Sequence, residues 1–534
     1  VAYPYRSSEV PALADMQLPT DPSFEIIREI KSDPAFRPPT ALSLGCHVNG
    51  YALPHPDPQD SRTMMDGIKK RFACEMPEPE PQLWAEFCEF VDSWIEENIE
   101  PISADADTSV EAWLAKCPYT LARKEQLLHK YREVLDVNDP SYAKVKSFMK
   151  DETYPEYKHA RAINSRSDHF KAITGPLFRL IDEALFQRPE FVKKISMVDR
   201  PDWILDELLM EGAQYGATDF TAYEAHFKER LMDATEFKLY EKLTSLLVDS
   251  VWWMPLVRRV LAGENLCVFK WCTIKIKGRR MSGEMCTSSG NGFTNLMLSL
   301  FLHHKMGNKA VKIKVEGDDA LHRFIGTFPT EELIKKLGLK LKLEVVDDIT
   351  SASFCGMVFD STDKKIVTEP VSELVAFGWT TQRYLYSSKK RQMELLRAKS
   401  MSMCYQYQGC PILNALGRYG IRVTHGYRAR APITNQYDQH LYDESLEYIK
   451  SKGIPSVEPG INTRMLVERL YHIPVQAQIE YEKYLDSLLT LQPLQLGVLE
   501  PFASPVWRDY FENYVMCGTK SPFIFPEQFV RTNY

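Results

Sequence analysis

Gly317, Asp318 and Asp319 place two carboxylates side by side directly after a glycine. Neighbouring anions repel, so a pair of them in a partly buried turn is best accounted for by a bound divalent cation, which takes hard oxygen ligands. Read alone, the tripeptide is an ordinary solvated turn, because short motifs recur by chance. A further acid, Asp219, lies in YGATDFTAYEAHF (Tyr215 to Phe227), where a strand pattern gives way to a helix start. If the two strands neighbour each other in one sheet, the acids can hold two metal ions about 3.5–4 Å apart, the arrangement for in-line phosphoryl transfer. The chemistry is then nucleotidyl transfer. The metals would activate a 3′-hydroxyl and neutralise a triphosphate.

The elements that must position these acids can be read from periodicity. Val311, Ile313 and Val315 alternate with Lys312 and Lys314, and a second apolar run starts at Ala320, so Lys309 to His322 reads as a β-hairpin with Gly317 in its tight connection. Glu224 lies five residues after Asp219. It is either a chemical group or, with Thr221, one half of a capping box. Lys144 to Arg179 carries eight lysines and arginines against four acids. Within it, KDE-x5-K-x2-R-x4-R sets Lys150, Lys158, Arg161 and Arg166 through an irregular stretch suited to phosphate contacts, although a solvated face would carry such charges equally well. Ser282-Gly283 opens a flexible loop, and Thr287 and Asn291 share one helix face. Gly290 and Gly292 in that helix suggest a backbone that is approached closely or must move.

Helices are expected from Pro81, over Leu83 to Ile99, over Leu121 to Leu135, and as one or two long helices between Phe227 and Leu261. The Pro- and acid-rich first hundred residues read as extended crossing loops, with PHPDPQD and MPEPEPQ unable to sit inside a helix. After the hairpin, Thr330 caps a helix to Leu337, Leu339 to Val346 is a strand, and Phe354 to Phe359 is another strand. From Ser372, a possible cap, the chain turns helical.

The chain has 534 residues, 44% hydrophobic and 26% charged, which suits several subdomains around a large core and argues against long disorder. No apolar run reaches the roughly 20 residues of a membrane helix, so a soluble chain without a membrane span is expected. Val1 carries no signal pattern, and the lack of an initiator Met suggests trimming, processing from a longer precursor, or a fragment. Eleven cysteines without CxxC pairs read as reduced thiols. A net charge of −7 leaves a nucleic-acid partner open, because a channel can be basic inside an acidic shell.

The motifs in order resemble the RNA-dependent RNA polymerases of positive-strand RNA viruses, closest to the tombusvirus-like and flavivirus-like group. KDE-x5-K-x2-R-x4-R resembles the family's nucleotide-entry motif and Asp219-x4-Glu224 its first catalytic motif. Ser282-Gly283-x3-Thr287-x3-Asn291 matches the SGxxxTxxxN segment, Gly317-Asp318-Asp319 is similar to the catalytic hairpin, and Phe354-Cys355-Gly356 resembles the palm–thumb junction. The resemblance covers residues 146 to 360.

It implies an α+β, mostly helical right hand. Residues 1–140 would form an N-terminal extension with fingertip crossings, 141–205 fingers, 206–230 palm, 231–275 a fingers insertion, 276–365 palm, and 366–534 thumb and tail. It implies RNA-directed RNA synthesis from NTPs on an RNA template, with Asp219 and Asp318 as ligands of two Mg²⁺ (or Mn²⁺) ions and Asp319 assisting. Lys150, Lys158, Arg161 and Arg166 would hold the triphosphate, and Glu224, Ser282, Thr287 and Asn291 would sense the ribose 2′-hydroxyl. The family usually has aspartate at position 224, which puts the ribose contact in question. Lys335, Lys336 and Lys340 are open candidates for the family's proton-donating lysine. Other viral replication proteins and membrane-associated complexes in a host cytoplasm are the implied setting. A reverse transcriptase and an inactive RNA-binding scaffold are the alternatives. The aromatic tail, Trp507, Tyr510, Phe511, Tyr514, Phe523 and Phe525, either packs on the thumb or folds towards the active site.

Overall fold

The computed structural model describes residues 1–14, 19–133 and 135–516. The chain is α+β, 47% helix and 15% strand. The hairpin forms as its alternation predicts. Lys309–Glu316 and Asp319–Ile325 pair antiparallel with Glu316 opposite Asp319, which leaves Gly317 and Asp318 as the two-residue loop. Gly317 has φ +56° and Asp318 does not enter the left-handed region, the pattern of a hairpin turn that demands glycine at its first loop position.

The hairpin belongs to a four-stranded antiparallel sheet in the order Leu341–Val346, Gln214–Phe220, Asp319–Ile325, Lys309–Glu316. Successive side chains of a strand face opposite ways, so each strand can feed two cores. Ile313, Val315 and Ala320 join the largest one, with Phe178, Trp253 and Phe293. Tyr215 and Leu321 pack on the other side with Ile204, Leu208 and Phe354. A sheet gripped on both faces is a rigid base for groups at its strand ends.

A second sheet runs Glu25–Glu29, Cys272–Lys277, Glu264–Val268, Lys144–Met149, Ala162–Arg166. Its last two strands pair antiparallel, and the Lys150 N–H donates to the Arg161 carbonyl at 2.8 Å beyond their end. The irregular basic stretch is therefore the loop of a long hairpin.

Several expectations need correction. Ser61–Arg71 is a helix, capped by Asp60 through the Thr63 N–H, inside the region read as loops. Phe227 to Leu261 is three helices, Glu229–Ala234, Glu236–Thr244 and Ser250–Leu261, because Thr235 leaves helical geometry at φ −126°, ψ −89°. Phe354 to Met357 is a tight turn, with Cys355 and Gly356 at φ +53° and +73°, and only Val358–Phe359 is strand. The helix Pro370–Phe377 is capped by Glu369, whose carboxylate accepts from the Val371 and Ser372 N–H groups, so Ser372 lies inside it. Thr330 does cap its helix, accepting from Leu333 at 3.2 Å. No helix among the described residues is long and apolar enough to cross a membrane. The ten described cysteines are all free.

Asp182, on the helix Asp168–Leu185, has its Oδ1 sealed from solvent without a partner, and burial pushes its carboxyl up to about 7. The folded chain then keeps a proton that the unfolded chain releases, so this group's stabilising contribution is complete at about pH 4 and is lost as pH rises through 7. Asp182→Asn is expected to match the wild type at pH 4 and to exceed it at pH 8 by about 1–3 kcal/mol, measured by urea unfolding at both pH values.

Candidate active site

The acids meet because strand register brings them together. Thr218 pairs with Ala320, and continuing that register one step sets Asp219, one residue before the end of its strand, beside Asp319, itself opposite Glu316. Asp318 reaches solvent at the tip but sits in a recess. Burial, then repulsion from Asp219 and Glu316, raises its carboxyl above the ordinary range. Asp319 is pushed up to about 7 by burial and by Asp318, Asp219 and Glu316, partly relieved by the Cys355 backbone N–H. The turn at Cys355 thus serves the acids directly.

Among the described residues no three acids, histidines or cysteines are gathered into a ready-made cation cage. The acids fit Mg²⁺ in a different way. Mg²⁺ retains several waters and takes one or two protein carboxylates beside substrate phosphates, and these carboxyls repel one another, a repulsion that Arg161 offsets only in part at Asp318. The candidate ligands are Asp219, Asp318 and Asp319.

Cations approach from the long hairpin. Glu152 accepts from Arg161 Nε and Nη2, at 2.6 and 2.9 Å, and from Lys150 at 2.8 Å. Burial raises its carboxyl, but these two cations outweigh burial and hold it at about 2. Arg161 remains close enough to favour the charged forms of Asp318 and Glu224. Arg71, at the end of the helix that sequence reading missed, does the same for Glu224. The Lys158 ammonium is exposed, and its backbone is clamped by the Tyr5 hydroxyl. Arg166 is placed elsewhere: it is 1% exposed and bonded to Glu284 at 2.6 Å, so it braces the site from inside and does not reach the cleft.

The Glu224 segment is not a capping box. Tyr223–His226 is a short 3-10 turn entered through Ala222 at φ +52°, with no side-chain cap. Glu224 is recessed, and burial followed by the nearby Asp318 raises its carboxyl. Asn291 lies on the helix Thr287–Lys305, which runs against the hairpin tip: Asn295 donates to the Gly317 carbonyl at 3.1 Å and Ser288 to Glu316 at 3.2 Å. A Cβ at Gly292 would stand 3.0 Å from the Phe191 ring, which would have to shift by a few tenths of an ångström to admit it. Ser282 and Thr287 spend their hydroxyl protons on the Ala162 and Met281 carbonyls, and so hold the loop before the helix against the Ala162–Arg166 strand.

Of the three candidate lysines, Lys335 and Lys336 lie on the helix Glu331–Lys336, where Lys336 pairs with Glu332 at 2.9 Å. The Lys340 backbone is tied to the Glu224 turn, its carbonyl accepting from Thr221 and its N–H donating to His226, which burial keeps neutral at about 4, while its ammonium donates to the Glu75 carbonyl at 2.9 Å. Sequence spacing missed Lys342, which stands directly across from Asp219 in the sheet. The alternation of Leu341, Leu343 and Val345 was the available signal, but the register was not.

Beside the long hairpin a cleft of about 800 Å³ is lined by Lys144, Lys146, Phe148, Lys270 and Gln59. The tail helix Pro505–Tyr514 packs neither on the acids nor solely on the C-terminal core. Tyr510 and Tyr514 bury against Tyr3 and Tyr5, while Trp507 joins the C-terminal cluster. Phe523 and Phe525 lie outside the described residues. No protein-family model matches the chain, and neither does any curated protein.

Proposed function

We propose that this chain is an RNA-directed RNA polymerase of the positive-strand RNA virus type, folded as a right hand with the four-stranded sheet as its palm. The observation that carries the reading is the convergence of separate motifs on one hairpin. Asp219 lies near the end of its strand in register with Asp319, Asn295 of the Thr287–Lys305 helix holds Gly317, and the charge of Arg161 reaches both Asp318 and Glu224. A solvated turn has no use for these supports.

In this reading Asp219, Asp318 and Asp319 hold Mg²⁺, which supplies activation of an RNA 3′-hydroxyl and neutralisation of triphosphate charge. Lys150, Arg161 and Lys158 bind the remaining phosphate oxygens, and the Glu152 clamp keeps two of these cations oriented before the nucleotide arrives. Orientation fixed in advance lowers the ordering cost at binding. The cleft with Lys144, Lys146 and Phe148 offers single-stranded RNA both charge and a stacking surface.

The test is primer extension on a defined RNA template. Incorporation of ribonucleotides with Mg²⁺, and none with EDTA, is expected. Equal or better extension with deoxyribonucleotides would favour a reverse transcriptase, and RNA binding without any extension would overturn the enzyme reading.

A further inference from the structure

The group that decides which way Asn291 faces is not part of any motif described above. Arg280 is wholly buried. Its Nε donates to Asn291 Oδ1 at 2.8 Å, its Nη2 to Glu236 at 2.5 Å, and its Nη1 to Glu284 at 3.3 Å. The guanidinium also lies over the Phe227 ring, 4.4 Å from its centroid. Two carboxylates and a ring fix its plane, so its Nε–H points in one direction.

A guanidinium only donates, so the asparagine atom that meets it must be the carbonyl oxygen. The Asn291 amide nitrogen is thereby turned the other way, and among the described residues nothing accepts from it. An asparagine without such a neighbour can flip its amide at little cost. Gly290 belongs to the same arrangement: a Cβ there would stand 2.6 Å from Arg280 Nη2 and 2.5 Å from Glu236 Oε2, so only glycine leaves Arg280 its seat. The turn that bears Glu224 is tied to the same residue, because the Tyr223 hydroxyl donates to the Asn291 backbone carbonyl at 2.9 Å.

We infer that Arg280 is a positioning residue for ribose recognition: it locks Asn291 with its amide N–H groups left to donate to a 2′-hydroxyl, on a helix that Tyr223 ties to the turn bearing the acceptor Glu224. This rests on the polymerase reading. Glu284 extends the arrangement to the phosphate side, since it also holds Arg166 of the Ala162–Arg166 strand. Sites built to hydrogen-bond a substrate hydroxyl discriminate strongly against the analogue lacking it, because their polar groups are then left unpaired.

Arg280→Lys keeps the positive charge facing Glu236 and Glu284 but has no planar fork to direct at Asn291. The experiment measures kcat/KM for CTP and for 2′-deoxy-CTP in primer extension by wild type, Arg280→Lys and Asn291→Asp. Asn291→Asp keeps an oxygen towards Arg280 and removes the outward N–H groups. Both variants are expected to reduce the CTP preference about tenfold or more. A purely structural Arg280 would lower both rates together and leave the ratio unchanged, and that result in Arg280→Lys overturns the inference. If Arg280→Lys does not fold, Gly290→Ala, whose Cβ would stand 2.6 Å from Arg280 Nη2 and which leaves Asn291 itself intact, takes its place: a reduced ratio supports the inference and an unchanged ratio overturns it. Failure of the wild type to incorporate CTP with Mg²⁺ removes the polymerase reading and this inference together, whereas an active wild type with unchanged ratios removes the inference alone.

Discussion

Asp318→Ala is expected to reduce Mg²⁺-dependent nucleotide incorporation by about 10²–10³-fold, while RNA binding and folding persist. The size follows from what the residue does in the proposed reaction: a group preorganised to stabilise charge in the transition state contributes about 2.7–4 kcal/mol on its own. The stability expectation has the opposite sign. Burial and repulsion from Asp219 and Glu316 raise the Asp318 carboxyl, so the carboxylate is a net cost to the fold when no cation is present. Asp318→Asn, which keeps the shape and removes the charge, is expected to melt at the same temperature as the metal-free wild type or higher, and to gain less than the wild type on adding Mg²⁺. Thermal melts with and without Mg²⁺, run beside primer extension, check both halves. A variant that retains incorporation, or that loses stability in proportion to activity, would return Gly317-Asp318-Asp319 to an ordinary turn.

The second large effect is on stability. Glu284→Ala removes the carboxylate shared by Arg166 and Arg280, which are exposed by no more than 1%. Among the described residues the Arg166 side chain has no other bonded partner, and its Nη1 and Nη2 are already buried without one. Stranding a buried charge by deleting its partner costs about 3–5 kcal/mol, far more than the pair contributes relative to a nonpolar replacement. An exposed pair makes the contrast. Lys336→Ala breaks the solvent-exposed bond to Glu332, a pair that water and salt screen, and its unfolding curve should overlay that of the wild type. Urea unfolding of Glu284→Ala, Lys336→Ala and wild type in parallel measures the difference. Equal midpoints for the three would mean that water reaches the Arg166 guanidinium.

The proposed reaction and the stability ledger meet at this buried network. Glu236, Arg280, Glu284 and Arg166 form one chain of charge from a core helix to the strand that ends the basic loop. It passes Asn291 on the way. Charges this deep are costly to bury, and an apolar core of the same volume would serve stability as well. Their orientation of Asn291 and of the loop before its helix is a use that an apolar core cannot supply.

The sequence by itself determined the features that depend on near neighbours along the chain. The Lys309–Glu316 and Asp319–Ile325 hairpin follows from period-2 alternation and a glycine where φ must be positive, and the Thr330 cap follows from a hydroxyl three residues before an orphan N–H. The common face of Thr287 and Asn291 follows from helical spacing. Tertiary structure alone decided the pairings that span long stretches of chain. Arg166 reads in the sequence as one more phosphate ligand, yet Glu284, 118 residues away, draws it inside. Glu152 reads as an acid diluting a basic run and is in fact the clamp on Lys150 and Arg161. Lys342 faces Asp219 only because two strands adopt one register among several that their alternation allows. Local geometry is set within a few residues by sterics and backbone hydrogen bonds, whereas the partner of a buried charge is selected by whichever opposite charge the packed core brings to it.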